Sequence, residues 1–168
     1  LDDAMANLGD MVEYAVCTLG YAPDDFFGWF ISSGIASKFE NGNPKYVAGM
    51  SGVELADAVL AAVNMQSERH HQPHLSSKGR EYWAGWILAY YQWETNRRFS
   101  DMVEYGLTLS VVMSLYILHE ADVSKFVESA DEIIQRNKGS RKSKLQLTRK
   151  ARGLTQQQLS EASAVSLR

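Results

Sequence analysis

One stretch limits the fold of this chain more than any other: EYWAGWILAYYQW, residues 81–93. At helical periodicity Tyr82, Trp86, Ala89 and Trp93 fall on one stripe, and Trp83, Ile87, Tyr90 and Glu94 on its neighbour. Together the two stripes cover most of the circumference, so this helix must be enclosed by others and is expected at the centre of the domain. Each buried aromatic removes roughly 150–250 Å² from water, which makes the block the largest single contribution to a core. No basic residue is interleaved, so helical core is read here in preference to a cofactor box or a stacking platform for nucleic acid.

The flanking sequence supplies the helices that would enclose it. Met5, Leu8, Val12, Ala15, Val16 and Leu19 recur at three- and four-residue steps, and Gly20 ends that run. Pro23 can open a second helix, where its missing N–H costs nothing and Asp24 and Asp25 suit the dipole. Its buried stripe reads Phe27, Phe30, Ile31, Gly34, Ile35 and Phe39, with Gly34 expected to let another helix come close. Asn41 to Pro44 break the chain, and residues 46–50 continue as a loop. Gly49 and Gly52 lack the Lys-Ser/Thr pair of a phosphate loop. Ser51 and Glu54 instead have the spacing of a capping box, opening a helix to about residue 66 that buries Leu55, Val59, Ala62 and Val63.

Residues 67–78, SERHHQPHLSSK, read as a variable surface loop. His70, His71 and His74 could share a metal, but no carboxylate or cysteine completes a set and Pro73 interrupts any helical spacing, so no metal and no cofactor is expected. After residue 93, Asn96 can end the aromatic helix and Ser100 cap a short one that Gly106 breaks. A short apolar helix follows over 110–118. His119, Glu120 and Asp122 have a composition suited to acid–base work, yet no nucleophile has a spacing that points at them, and a helix junction is the simpler reading. Residues 121–137 pattern as a helix with Val123, Phe126, Val127, Ala130, Ile133 and Ile134 on one face. Residues 138–143, KGSRKS, read as a flexible basic linker. The outcome is an all-α body of about seven helices, with no alternation strong enough for a sheet.

Charge divides the chain at that linker. The net charge of −3 combines residues 1–135, with 8 Lys/Arg against 19 Asp/Glu, and residues 136–168, with 9 Lys/Arg against Glu161 alone. A basic tail on an acidic body suggests contact with nucleic acid through the tail. The tail ends in LQLTRKARGLTQQQLSEASAVSLR, residues 145–168: a helix, a break around Gly153, Thr155 as the cap of a second helix, and a further break at Ala164 and Val165 before Ser166.

This order resembles the start of the helix-turn-helix domain of bacterial Cro/repressor-like (XRE-type) regulators, on Gly153, Leu154, the run Thr155, Gln156, Gln157, Gln158, Leu159, Ser160, and then Val165 and Ser166. The resemblance implies that the second helix crosses the DNA backbone and the third enters the major groove. Carried over by position, Thr155 caps the second helix, Gln156 contacts a phosphate, Ser166 and Arg168 open the reading helix, and Arg149, Lys150 and Arg152 add positive charge. Leu147, Leu154, Leu159 and Val165 would form the small domain's core. Ala164 stands where this turn usually has Gly, at a cost of roughly 1 kcal/mol if its φ is positive. The family's domain needs about five helices and residues 144–168 hold two and the start of a third, so the motif reads as truncated and the natural protein is expected to continue. The body segments at 42–56, 81–93 and 118–133 are similar to the N-terminal region of regulators found in toxin–antitoxin-like gene clusters. That similarity implies an antitoxin whose partner is an ADP-ribosyltransferase-like toxin.

Three functions from different classes are consistent with these features. The first is a DNA-binding transcriptional regulator and antitoxin, not itself an enzyme, with residues 1–137 binding a protein partner, 138–143 as linker and 144–168 facing DNA. The second is a helical enzyme or small-molecule sensor regulated through the tail, with His119, Glu120 and Asp122 as its first candidates. The third is an oligomerisation module with a vestigial tail, for which the partner is a second copy in a homodimer. No apolar run is long enough to cross a membrane, the N-terminus is acidic where a signal peptide would be basic, and the single cysteine, Cys17, excludes disulfides within the chain. A cytoplasmic location is therefore expected.

Overall fold

The computed structural model describes residues 1–65 and 78–151, and beyond residue 141 it describes the side chains of Lys144 and Leu147 only. Among the described residues the chain is all-α, without a strand. Helix α1 (Asp2–Glu13) runs into a π-helical turn (Tyr14–Thr18), after which Gly20 turns the chain with φ +76°. Then come α2 (Pro23–Ser32), α3 (Ile35–Glu40), a short α4 (Pro44–Val47) and α5 (Gly52–Ala62). The aromatic block forms α6 (Arg80–Thr95). Next are α7 (Phe99–Glu104), α8 (Leu109–Ser114), a 3-10 segment (Tyr116–Glu120) and the long α9 (Val123–Ala151).

The pair α1 and α6 forms the centre of the fold, and small residues set how closely the two approach. A Cβ on Gly85 would lie 2.3 Å from the Leu8 carbonyl oxygen, and one on Gly9 would lie 2.8 Å from the Tyr82 ring. The backbones therefore meet directly, and the wide side chains of α6 are pushed to the flanks. Ala84, Gly85, Ile87, Leu88, Tyr91 and Gln92 are buried, whereas Trp83, Trp86 and Tyr90 are half-buried and Trp93 is 53% exposed. The helix is central, as its pattern predicts, but its buried stripe is not the aromatic one.

Gly34, expected at a close helix contact, has φ +76° and nothing within 4 Å of a Cβ position. It separates α2 from α3, a break that only a residue without Cβ makes cheaply. The break turns Phe39 back so that Phe27, Phe30, Phe39 and Phe99 pack ring on ring, with centroids 5.6–6.2 Å apart. Ser51 and Glu54 form the expected capping box: the Ser51 hydroxyl accepts from the Glu54 N–H at 3.2 Å, and the Glu54 carboxylate accepts from the Ser51 N–H at 2.8 Å. Helix α5 ends at Ala62, which is exposed, and its buried face is Leu55, Ala56, Val59 and Leu60. The loop expected over 46–50 begins inside α4, which Pro44 opens and the Asn43 side chain caps.

Several acidic side chains close the helix ends that these turns leave open. The Asp24 carboxylate accepts the Ser110 N–H at 2.8 Å and the Thr108 hydroxyl at 3.3 Å, tying α2 to the start of α8. Glu40 accepts the Phe99 N–H at the start of α7; burial pushes its carboxyl above the usual range, against the opposing effects of that bond and of Arg98. Part of the acidity of the body thus also serves to cap helices.

Candidate functional site

Helix α9 connects the body to the basic segment, and its two halves differ. Phe126, Ala130 and Ile134 are buried, with Val123, Val127 and Ile133 packed beside them. Asp131 fixes the register: its carboxylate accepts the Tyr91 hydroxyl at 2.6 Å and Arg97 at 3.1 Å. Burial first, and that hydrogen bond second, push the Tyr91 phenol well above its ordinary range, so it remains a donor at all physiological pH.

The helix leaves the body at a clamp around Tyr105 and Gly106. Leu107 N–H reaches the Met102 carbonyl and Gly106 N–H the Val103 carbonyl, the paired bonds of a Schellman cap on α7, with Gly106 at φ +86°. The Asn137 amide fills the space beside Gly106 and donates to the Tyr105 carbonyl at 2.7 Å. Lys138 and Arg141 lie over the Tyr105 ring at 4.7 and 5.7 Å, and Arg141 pairs with Glu104. Both ion-pair partners are about half exposed, so the pair adds little by itself; the fixed geometry comes from the amide and the ring contacts together.

Residues 138–143, expected to be a flexible linker, are helical within α9. The single Gly139 costs a helix about 1 kcal/mol relative to Ala, and the neighbouring Arg, Lys and Leu are good helix formers. The clamp supplies the remaining stabilisation. Along this stretch Gly139, Ser140, Arg141, Lys144 and Leu147 are exposed, and the 15 residues from Asn137 to Ala151, the last described one, span roughly 22 Å. Arg149 and Lys150 fall in the last described turn of α9, their side chains outside the described residues. Arg152, Thr155, Gln156, Ser166 and Arg168 lie wholly outside the described residues, as do Leu154, Leu159, Val165 and the histidines at 70, 71 and 74. Leu147, expected in the small domain's core, is 65% exposed.

The other candidates, His119, Glu120 and Asp122, do not form one cluster: the Glu120 carboxylate lies 3.8 Å from His119 Nε2, while Asp122 is engaged elsewhere. Asp122 accepts the Ser124 N–H at 2.9 Å as a cap of α9, and hydrogen bonds from Ser124 hold its carboxyl below the usual range. The Glu120 side chain is 83% exposed. Of the three, His119 alone lines a cleft, of about 280 Å³, between α6, the 3-10 segment and the first turn of α9. Its Nδ1 lies 2.8 Å from the Tyr116 carbonyl oxygen, and because a carbonyl only accepts, Nδ1 carries the proton. Side chains three apart eclipse in a 3-10 helix, so the imidazole stacks on the Tyr116 ring at 4.2 Å and 8°. Trp83 stands edge-on to both Tyr116 and Phe126, each at 5.7 Å.

Sequence periodicity did not find this cleft because three separate elements build it. The only forewarning was a surplus of aromatic rings on α6 beyond what one buried stripe can hold. Among the described residues no helix is long and apolar enough to cross a membrane. Compared with family models, with characterised proteins and with solved structures, the chain finds no match in any of the three.

Proposed function

We propose that the chain is a DNA-binding transcriptional regulator, the antitoxin of a toxin–antitoxin pair, whose acidic helical body binds and neutralises a protein toxin of the ADP-ribosyltransferase-like class. The observation that carries this reading is the change of character along α9. Its first half is built into a body with 8 basic and 19 acidic residues, and its second half enters a segment with 9 basic residues and one acidic residue. A basic helix running toward the Thr155-to-Arg168 motif suits phosphate contact, and the exposure of Lys144 supports it. The body is read as a binding module rather than an enzyme. Support for that comes from the separate structural uses of Asp122 and His119 and from the exposure of Glu120.

A promoter-reporter strain tests the regulatory half. Expression of the complete gene product represses its own promoter, and the triple substitution Arg149→Ala, Lys150→Ala, Arg152→Ala relieves the repression at unchanged protein level. Unaltered reporter output with the wild-type protein overturns the reading. Co-expression tests the antitoxin half: the product of the adjacent gene arrests growth, and the intact chain restores it and co-purifies with that product, as does the Arg149→Ala, Lys150→Ala, Arg152→Ala protein. Growth arrest that persists despite soluble expression of the intact chain rejects the partnership.

A further inference from the structure

The aromatic cleft has a chemistry that the reading above does not use. Tyr82, Trp83 and Trp86 line one side, Tyr116 and His119 another, and Phe126 lies between them. The edge-on contacts of Trp83 and the stacked Tyr116–His119 pair hold the walls apart, so the cleft is formed before anything enters it. A volume of about 280 Å³ is at the lower end for small-molecule sites and suits a compact planar molecule of roughly a dozen heavy atoms.

The polar groups restrict the ligand further. Among the described residues no carboxylate lines the cleft, and Lys78 brings an ammonium 5.5 Å from the centre of the Tyr82 ring. The His119 Nδ1 proton is already committed to the Tyr116 carbonyl. The acidic body as a whole repels anions, but charges beyond about 8 Å are largely screened at physiological salt; Glu120, 3.8 Å from His119 Nε2, is turned to solvent, and on the Tyr82 side, where burial first and then Asp10 and Glu13 hold the phenol above its ordinary range, Lys78 supplies the opposing positive charge. A ligand offering an acceptor with negative charge therefore finds its partner at Lys78, and its ring finds aromatic walls.

We propose that this cleft is a binding site for a small planar aromatic carboxylate, with the ring held among Trp83, Trp86 and Tyr116 and the carboxylate on the Lys78 ammonium. The site lies wholly on the body and stands independently of the DNA-binding reading. Isothermal titration calorimetry of the intact chain with benzoate, 4-hydroxyphenylacetate, indole-3-acetate and 2-naphthoate tests it, followed by the carboxamide of whichever binds best.

At least one carboxylate binds one-to-one with sub-millimolar affinity, and its amide binds about tenfold more weakly, the scale of a lost charge-assisted contact. Lys78→Gln weakens the acid by a similar factor and leaves the amide unchanged. Ala121→Phe places a ring at the exposed mouth of the cleft and abolishes binding of both at an unaltered melting temperature. Silence from all four acids at millimolar concentration overturns the proposal. So does equal affinity for acid and amide, or binding that survives Ala121→Phe.

Discussion

The clamp at the root of α9 yields a prediction whose parts can be separated. Replacing Gly106 by Ala puts a side chain on a residue at φ +86°, and it places the new Cβ 2.3 Å from the Asn137 Nδ2. The first effect is backbone strain of roughly 1–2 kcal/mol. The second is relieved by rotating the Asn137 side chain away, which breaks its 2.7 Å bond to the Tyr105 carbonyl; a partly buried hydrogen bond of this kind contributes about 1 kcal/mol. Gly106→Ala should therefore cost about 2–3 kcal/mol in urea unfolding with the m-value unchanged. Asn137→Ala alone should cost about 1 kcal/mol, and in that background Gly106→Ala should cost only its strain, leaving a coupling energy of about 1 kcal/mol across the double-mutant cycle. A coupling indistinguishable from zero, or a single-mutant cost under about 0.5 kcal/mol, refutes the reasoning that this amide holds α9.

Other consequences follow from the packing and the caps. Phe99→Ala removes the ring that Phe27, Phe30 and Phe39 all touch and should cost about 3–5 kcal/mol by chemical denaturation. Ser51→Ala deletes half of the capping box and should cost about 1 kcal/mol, with the loss of α5 protection visible in amide exchange. Glu40 has a folded-state pKa raised above its unfolded value, chiefly by burial. The folded state then holds its proton more tightly, so the stability linked to Glu40 is fully present below the unfolded pKa and declines as pH rises through the folded one. Glu40→Gln keeps an acceptor for the Phe99 N–H and removes this dependence. Its stability relative to wild type should rise between pH ~4 and pH ~7 in urea titrations, and a flat difference contradicts the assignment.

The parts of the fold legible in the sequence are those set by neighbours along the chain. Pro23 at the start of α2, the Ser51–Glu54 box, Asn96 at the end of α6 with φ 51° and Gly106 as a break all act within one turn. Contacts between helices were less legible. Hydrophobic periodicity ranks a stripe by size, so it put Trp86 and Trp93 inside; the close contact between α1 and α6 instead selects Gly9, Ala84 and Gly85, which carry almost no hydrophobic signal. The same limit applies to residues 138–143, where composition suggests a linker but Asn137, Lys138 and Arg141 hold the helix through partners on α7, more than thirty residues earlier.

The roles of individual acidic residues were equally hidden: Asp24, Glu40, Asp122 and Asp131 accept hydrogen bonds from backbone N–H groups or side chains of the body, contacts that a count of charge does not show. The cleft was illegible because Trp83, Tyr116, His119 and Phe126 are spread over more than forty residues and three elements. What the sequence did single out there, His119, lines the cleft, while Glu120 turns to solvent and Asp122 caps α9.

The account rests most heavily on the claim that the basic half of α9 and the motif beyond it engage DNA. Fluorescence anisotropy of the complete gene product on its own promoter, titrated from about 50 to about 200 mM salt, measures this directly, because each phosphate neutralised steepens the fall of log K with log salt. The account predicts binding at low salt, with affinity falling steeply as salt rises. The Arg149→Ala, Lys150→Ala, Arg152→Ala protein should show a slope shallower by about 2–3 and weaker binding to any duplex. No binding at the lowest salt, or a slope that the triple substitution leaves unchanged, contradicts it.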